Sequence, residues 1–216
     1  MKKALIFDSS AIISLALNDL LYIFEPLKKY FDGDFYITQE IKSEIIDYSV
    51  TTKRFMLEAL MVKNLVEKGV LKVYPGKLNV EKFLRIANET YKTNDSFINI
   101  LHRGEASCLA LFNILDVKKK AIVVDERTTR MLCEAPEQLR QLLEKKLDKK
   151  LKATTDNYSF FKQVNILRSS ELAYLALKKG IINLSEDKSK VLEALLYALK
   201  FKGCAISIKE IESLVH

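Results

Sequence analysis

The chain has 216 residues, of which 49% are hydrophobic and 29% are charged, and it carries a formal net charge of +7. This length allows one domain with a full hydrophobic core, and the composition excludes an intrinsically disordered chain. The three cysteines are widely spaced and the two histidines are isolated, which disfavours a disulfide framework, a zinc site and a Ser/His/Asp triad.

Short apolar strands alternate with amphipathic helices along most of the chain. The predicted strands are Lys3–Phe7, 35–37, 70–74, 121–124 and 163–167. The predicted helices between them are 11–17, 19–30, 38–48, 53–68, 80–91, 104–115, 126–134, 137–152 and 169–178. The alternation predicts an α/β fold with a central parallel sheet of about five strands.

The C-terminal part of the sequence has a different pattern. Residues 186–202 and 207–215 each have helical spacing of apolar residues, and Gly203 separates them. No strand pattern follows residue 184. We therefore expect residues 1–184 to form the α/β domain, and residues 185–216 to form a helical extension that is either packed on it or appended to it.

Four acidic residues come from separate segments that a parallel sheet would bring together. Asp8 and Asp125 each follow an apolar strand, Glu44 lies on the helix after the second strand, and Glu105 begins a helix after Gly104. Ligands of open parallel sheets bind at the carboxyl ends of the strands, near the switch in strand order. Carboxylates that meet there would form an oxygen-rich pocket for a hard divalent cation.

Each of these acids also has a purely structural interpretation. Asp8 and Asp125 could cap the helices that follow them, because aspartate is a favoured N-cap residue. Glu105 could interact with the helix dipole from the first turn, and Glu44 could be a solvent-facing helix residue.

Two other enzyme classes fit the sequence less well. Phosphatases of the haloacid dehalogenase type also begin with an aspartate after a first strand, but their chemistry needs a second acid two residues later. Here that residue is Ser10. A dinucleotide-binding domain is disfavoured because no GxGxxG motif follows the first strand.

Several segments, in this order and at this spacing, resemble the PIN domain, in particular the archaeal and bacterial branch related to VapC-type toxin ribonucleases. The segments are 6–11 (IFDSSA), 37–44 (ITQEIKSE), 104–106 (GEA) and 123–127 (VVDER). Residues 169–182 and 195–214 also resemble C-terminal segments of a PIN subgroup. The resemblance covers nearly the whole chain; each motif is weak by itself, and the four in order are fairly specific.

The resemblance implies a metal-dependent endoribonuclease on a three-layer α/β/α sandwich. Position by position, it implies Asp8, Glu44, Glu105 and Asp125 as catalytic residues. A magnesium or manganese ion would be held by Asp8, Glu105 and Asp125, while Glu44 would ligate through water or orient the nucleophile. Ser9 or Ser10 would then hydrogen-bond in the site. Many relatives have a further aspartate at or soon after the position of Glu126, so whether one metal ion or two are bound stays open.

The expected partners follow from charge and from the resemblance. A net charge of +7 suits a polyanion such as RNA, and Arg127 and Arg130 could contact phosphates or form helix-surface salt bridges. The resemblance implies either a toxin held by an antitoxin protein or a stand-alone RNA-processing nuclease. Members of the family often form dimers, so a homodimer is one expected partner arrangement, and the oligomeric state stays open. An alternative is a PIN-fold protein that binds RNA or another partner without cleaving it.

The sequence also carries an expectation about location. No uncharged run reaches the length of about 18 residues that a transmembrane helix needs, so we expect no contact with a membrane. Asp8 interrupts the first apolar run too early for a signal peptide. We therefore expect a cytoplasmic protein.

Overall fold

The computed structural model describes residues 3–215. Its centre is a five-stranded sheet in the order β3-β2-β1-β5-β7, and all strand pairs in it are parallel. The strands are β1 (Lys3–Phe7), β2 (Asp34–Ile37), β3 (Leu71–Val73), β5 (Lys119–Val123) and β7 (Ile166–Leu167). A separate antiparallel pair joins β4 (Tyr91–Lys92) to β6 (Lys152–Ala153).

Helices flank the central sheet and make a three-layer α/β/α sandwich, as predicted. They are α1 (Ser9–Ala16), α2 (Phe24–Phe31), α3 (Gln39–Lys42), α4 (Met56–Glu67), α5 (Val80–Asn88), α6 (Arg103–Ile114), α7 (Arg127–Glu134), α8 (Pro136–Leu147), α9 (Ser169–Lys178), α10 (Lys188–Phe201) and α11 (Ile208–Val215). Helix α6 packs on β1 and β5 and against α3 and α5, whereas α1 packs against α4 and α9. A π-helical segment, Ser43–Tyr48, continues α3.

The central strands are buried, which explains why they are continuous apolar runs in the sequence. Four of the five residues of β1 are buried, and its last residue, Phe7, packs against Phe24 and Phe35 with ring centroids 5.0 and 5.2 Å apart. These aromatic contacts anchor the carboxyl end of β1. The chain segment that begins at Asp8 therefore starts from a rigid position.

The strand order reverses between β1 and β5, at the middle of the sheet. Phe7 pairs with Val123, and the Asp8 amide donates a hydrogen bond to the Val123 carbonyl at 2.9 Å. Asp8 and Asp125, the residues that follow these two strands, thus emerge at the crevice where open α/β sheets bind ligands.

Some helix boundaries differ from the predicted ones, because periodicity does not show where a helix ends. The predicted helix 19–30 begins only at Phe24, since Asp19 has a left-handed backbone (φ 55°) and a short 3₁₀ turn follows it. The predicted helix 137–152 ends at Leu147, where Asp148 has φ 51°. Aspartate tolerates this backbone conformation better than most residues.

The C-terminal helices pack on the α/β domain. Helix α10 lies against α9, α11 lies against α10, and buried residues of both, including Leu196 and Ile211, belong to the same hydrophobic core as the sheet. The Arg168 guanidinium, at the start of α9, is bonded to Glu171 at 2.7 Å and to Glu210 of α11 at 2.9 Å. Burial opposes ionisation of Glu210, but hydrogen bonds from Ser207 and Arg168 lower its pKa to about 2.

Within residues 3–215, no single helix is both long enough and apolar enough to cross a membrane.

Because α10 shares the core of the sheet domain, we predict that Leu196→Ala destabilises the whole protein. Leu196 is fully buried, and truncating such a leucine costs about 2–5 kcal/mol. Glu193→Ala, on the exposed side of the same helix, should change the free energy of unfolding by less than about 0.5 kcal/mol. Urea unfolding followed by circular dichroism measures both; an independent early transition for the helices in Leu196→Ala would contradict a shared core.

Candidate active site

Asp8 lies at the centre of the site and also caps a helix. It has an extended backbone, and its Oδ2 accepts hydrogen bonds from the Ser10 amide at 3.0 Å and from the Ser10 hydroxyl at 2.5 Å. This confirms the structural interpretation of Asp8 as the N-cap of α1. The cap uses only one of the two carboxylate oxygens.

The other oxygen of Asp8, Oδ1, is buried and has no hydrogen-bond partner in the described structure. The residue is only 2% exposed. Burial, partly offset by the bonds from Ser10 and reinforced by the charges of Glu105 and Glu44, raises the pKa of Asp8 to about 7. A buried carboxylate oxygen without a donor is energetically costly, and such groups are found where a function requires them.

Glu44 and Glu105 are the acids that the fold brings to Asp8. Glu105 is held from the first turn of α6, where its Oε2 accepts a hydrogen bond from the His102 amide at 3.1 Å. Glu44 comes from the π-helical segment, and its side chain is exposed. Partial desolvation and the charge of Glu105 raise the pKa of Glu44, while the nearby Ser9 hydroxyl and His102 oppose the shift.

Gly104 leaves room for the Glu44 side chain beside the start of α6. A Cβ atom at this position would lie 3.1 Å from Glu44 Oε2 and 3.1 Å from the Cδ1 atom of Ile41. A side chain here would require the Glu44 carboxylate and the Ile41 side chain to shift by a few tenths of an ångström. This is a local reason for glycine before Glu105 in the sequence.

Both glutamates line an open cleft of about 660 Å³. Its other lining residues include His102, Arg103 and the side chain of Tyr48, which is 74% exposed. The sequence reasoning did not select these three residues. The sequence nevertheless contained a signal for these residues. His102 and Arg103 directly precede Gly104 and Glu105, and Tyr48 lies one helical turn after Glu44, so all three are close to the selected acids along the chain.

The structure gives Asp125 a different environment from Asp8. Its Oδ1 accepts a hydrogen bond from the Ser169 amide at 2.8 Å, and its Oδ2 accepts one from the Ser169 hydroxyl at 2.6 Å. Asp125 therefore caps α9, which is distant in sequence, and not the helix that follows it. The N-cap of that helix, α7, is Glu126, whose Oε2 accepts from the Thr129 amide at 2.7 Å.

Ser10 connects the two buried aspartates. Its hydroxyl accepts a hydrogen bond from the Asp125 amide at 3.0 Å and donates to Asp8 Oδ2 at 2.5 Å. The Asp125 amide thus directs the Ser10 proton toward Asp8. Ser9 lies beside Glu44, so the two serines named from the sequence serve different acids.

The two arginines named from the sequence lie away from the cleft lining. Arg127 is exposed in the first turn of α7. Arg130 is largely buried: its Nε is 3.7 Å from Glu134 Oε2, has no hydrogen-bond partner in the described structure, and lies beside a cavity of about 310 Å³ that Arg168, Glu171 and Glu210 also line. The sequence left open whether Arg130 contacts phosphates or forms a salt bridge, and the structure shows the salt bridge.

The acids suit a hard divalent cation in their chemistry but are not arranged around one. Among residues 3–215, no three Asp, Glu, His or Cys side chains are close enough to one another to hold a metal ion as they stand. Asp8 Oδ1 is free of protein donors, and Glu44 and Glu105 are oxygen ligands of the type that such cations prefer. Of the expected ligands, Asp125 is the one whose two carboxylate oxygens are already hydrogen-bonded.

Comparison of the chain with family models, curated proteins and solved structures found no match.

The raised pKa of Asp8 predicts a pH-dependent stability. Between the ordinary value of 3.8 and about 7, the folded protein holds a proton that the unfolded chain has released. The Asp8 contribution to the free energy of unfolding therefore falls as the pH rises through this window. Asp8→Asn removes the ionisable group, so it should be the more stable protein at about pH 8, by up to about 4 kcal/mol.

Chemical denaturation with a metal chelator present measures this difference. The stability gap between Asp8→Asn and the wild type should shrink as the pH is lowered from about 8 to about 5. Asp116→Asn, at an exposed aspartate just before β5, serves as the matched control and should show no such gap. A wild type that is more stable than Asp8→Asn at about pH 8 would contradict a buried, strained carboxylate.

Proposed function

We propose that this protein is a divalent-metal-dependent ribonuclease of the PIN type, with Asp8, Glu44 and Glu105 at its reaction centre. The observation that carries the proposal is Asp8, a buried carboxylate at the switch point of a parallel sheet, with one oxygen lacking a partner and two glutamates nearby. The order and spacing of the sequence motifs support the same conclusion.

Magnesium or manganese, when bound, would lower the pKa of a water molecule and offset the negative charge of the scissile phosphate. Asp8 would hold the ion through Oδ1, while Ser10 keeps Oδ2 in place. Glu105 would complete the site, since its charge and that of Glu44 act on Asp8. Glu44 would accept a proton from the attacking water, because its raised pKa suits a general base.

The cleft beside the acids suits a single RNA strand. His102 and Arg103 could contact phosphates, and the exposed Tyr48 ring could stack on a base. Arg103 is now paired with Glu81, but both side chains are exposed, and such surface pairs are weak enough to exchange for a phosphate. The basic run at 118–120 precedes or begins β5 and thus lies at the opposite edge of the sheet from the site.

A second candidate is a PIN-fold protein that binds RNA without cleaving it. Two observations favour it: both Asp125 oxygens are bonded to Ser169, and the acids do not converge in the described structure. In biological role, a toxin that pairs with an antitoxin and a stand-alone RNA-processing enzyme both agree with this site. The expected homodimer stays a prediction.

The nuclease proposal predicts metal-dependent cleavage of single-stranded RNA that depends on Asp8. With a fluorescently labelled RNA of mixed sequence, we expect cleavage in magnesium or manganese and none in chelator. Asp8→Asn should lower the rate by about 100-fold or more, since metal-derived charge stabilisation is worth several kcal/mol and each 1.36 kcal/mol is a factor of ten. Glu105→Gln should also lower it.

Asp116→Asn is the matched control and should cleave like the wild type. Fluorescence anisotropy with the same RNA separates the two candidates. Binding by the wild type without cleavage in either metal would reject the nuclease and support the binding protein. Cleavage that survives Asp8→Asn would place the reaction at a different site.

A further inference from the structure

The two aspartates that follow β1 and β5 are equally buried but differently satisfied. Asp8 and Asp125 are 2% and 1% exposed. Asp8 has one oxygen without a donor, whereas each oxygen of Asp125 accepts a hydrogen bond from Ser169. The negative charge of Asp125 also lies at the N-terminus of α9, where the helix dipole favours an anion. In the described structure, both oxygens of Asp125 therefore have a donor from the protein, whereas Asp8 Oδ1 has none.

The backbone of Asp125 makes two further contacts that link distant parts of the chain. Its carbonyl accepts a hydrogen bond from the Ala205 amide at 3.1 Å, in the loop between α10 and α11. Its amide donates to the Ser10 hydroxyl, which in turn donates to Asp8. Asp125 thus joins the sheet, the start of α9, the C-terminal loop and the acidic site.

The surroundings of the C-terminal loop support this connection. Cys204 is buried, and burial together with the charge of the nearby Asp125 raises the pKa of its thiol to about 11. Arg168, at the start of α9, donates one hydrogen bond to the Ala205 carbonyl at 3.4 Å and another to the Glu210 carboxylate at 2.9 Å. The loop is therefore held on one side by Asp125 and on the other by Arg168.

We propose that Asp125 is a positioning residue and not a ligand of the metal ion: its carboxylate fixes the residue to the start of α9, so that its backbone carbonyl clamps the C-terminal segment 203–215 at Ala205. Through Ser10 the same residue orients the Asp8 carboxylate. The statement about the metal rests on the proposed function, whereas the clamp does not. Through Asp125, the C-terminal helices would thereby help to hold the acidic site in place.

Two variants of Asp125 separate the two roles. Asp125→Asn keeps an oxygen that accepts from the Ser169 amide and adds an NH₂ group that can donate to the Ser169 hydroxyl. It preserves the clamp but removes the charge that a metal ligand would supply. Asp125→Ala removes both acceptors and leaves the Ser169 donors buried without partners.

Hydrogen–deuterium exchange of the full chain, read by mass spectrometry, tests the clamp. In Asp125→Ala, loss of the charge-assisted hydrogen bonds from Ser169 should free the Asp125 backbone that holds Ala205, so that amides of residues 203–215 exchange about tenfold faster or more. In Asp125→Asn they should stay within about threefold of the wild type. Glu126→Ala, which removes the neighbouring cap of α7, is the matched control and should leave this segment protected.

The second measurement is the rise in unfolding temperature caused by manganese alone. Asp125→Asn should keep most of the wild-type rise, and Asp8→Asn should lose it, because the ion would be bound at Asp8. Loss of the rise in Asp125→Asn, with residues 203–215 still protected, would show that Asp125 is a ligand and overturn the proposal. Unchanged exchange in Asp125→Ala would overturn the clamp.

Two further outcomes are decisive as well. If manganese does not stabilise the wild type and RNA is not cleaved, the proposed function fails, and the exchange of residues 203–215 alone decides the clamp. If Asp125→Ala does not fold, Ser169→Ala takes its place in the experiment, because it removes only the hydroxyl that donates to Asp125 Oδ2. It should then speed the exchange of residues 203–215 to a smaller extent, and no change would reject the clamp.

Discussion

The free energy cost of burying two carboxylates at one edge of a parallel sheet governs this structure. The strand order reverses between β1 and β5, so the residues that follow these strands, Asp8 and Asp125, leave the sheet side by side and out of contact with water. A buried charge needs donors, a counterion or a proton. The fold supplies donors to both oxygens of Asp125 and to only one oxygen of Asp8.

The other features of the site follow from this difference in hydrogen bonding between Asp125 and Asp8. Asp125 is stabilised by the N-terminus of α9, and its backbone carbonyl also accepts a hydrogen bond from Ala205 in the loop between α10 and α11. Asp8 keeps an unsatisfied oxygen, and its pKa rises to about 7 with Glu105 and Glu44 nearby. An amide at this position could keep the cap of α1 without burying a charge, so the unsatisfied oxygen of Asp8 is the feature that folding alone does not explain.

Sequence reasoning was accurate where local chemistry decides the outcome. The apolar runs became the buried strands, and the strand beginning at Lys3 has the predicted bounds. Helix ends were less accurate because they depend on single residues that leave the helical conformation, such as Asp19 and Asp148. The two C-terminal helices were recognised, but whether they were packed or appended was not, because a helix's periodicity does not identify the surface it covers.

The sequence by itself determined the α/β class and the parallel sheet, because apolar strands alternate with amphipathic helices, and it named Asp8, Glu44 and Glu105 as acids at the carboxyl ends of strands or the starts of helices. Only the tertiary structure decided that Asp125 faces Ser169, 44 residues further along the chain. It also showed that Glu126 caps α7, and that Arg130 faces Glu134 and not the cleft. For Asp125 the physical reason is that its hydrogen-bond partner depends on which distant element packs beside the strand, and no local pattern carries that information. Glu126 and Arg130 instead contact residues of their own helix, three and four positions away, which the sequence allowed but did not select.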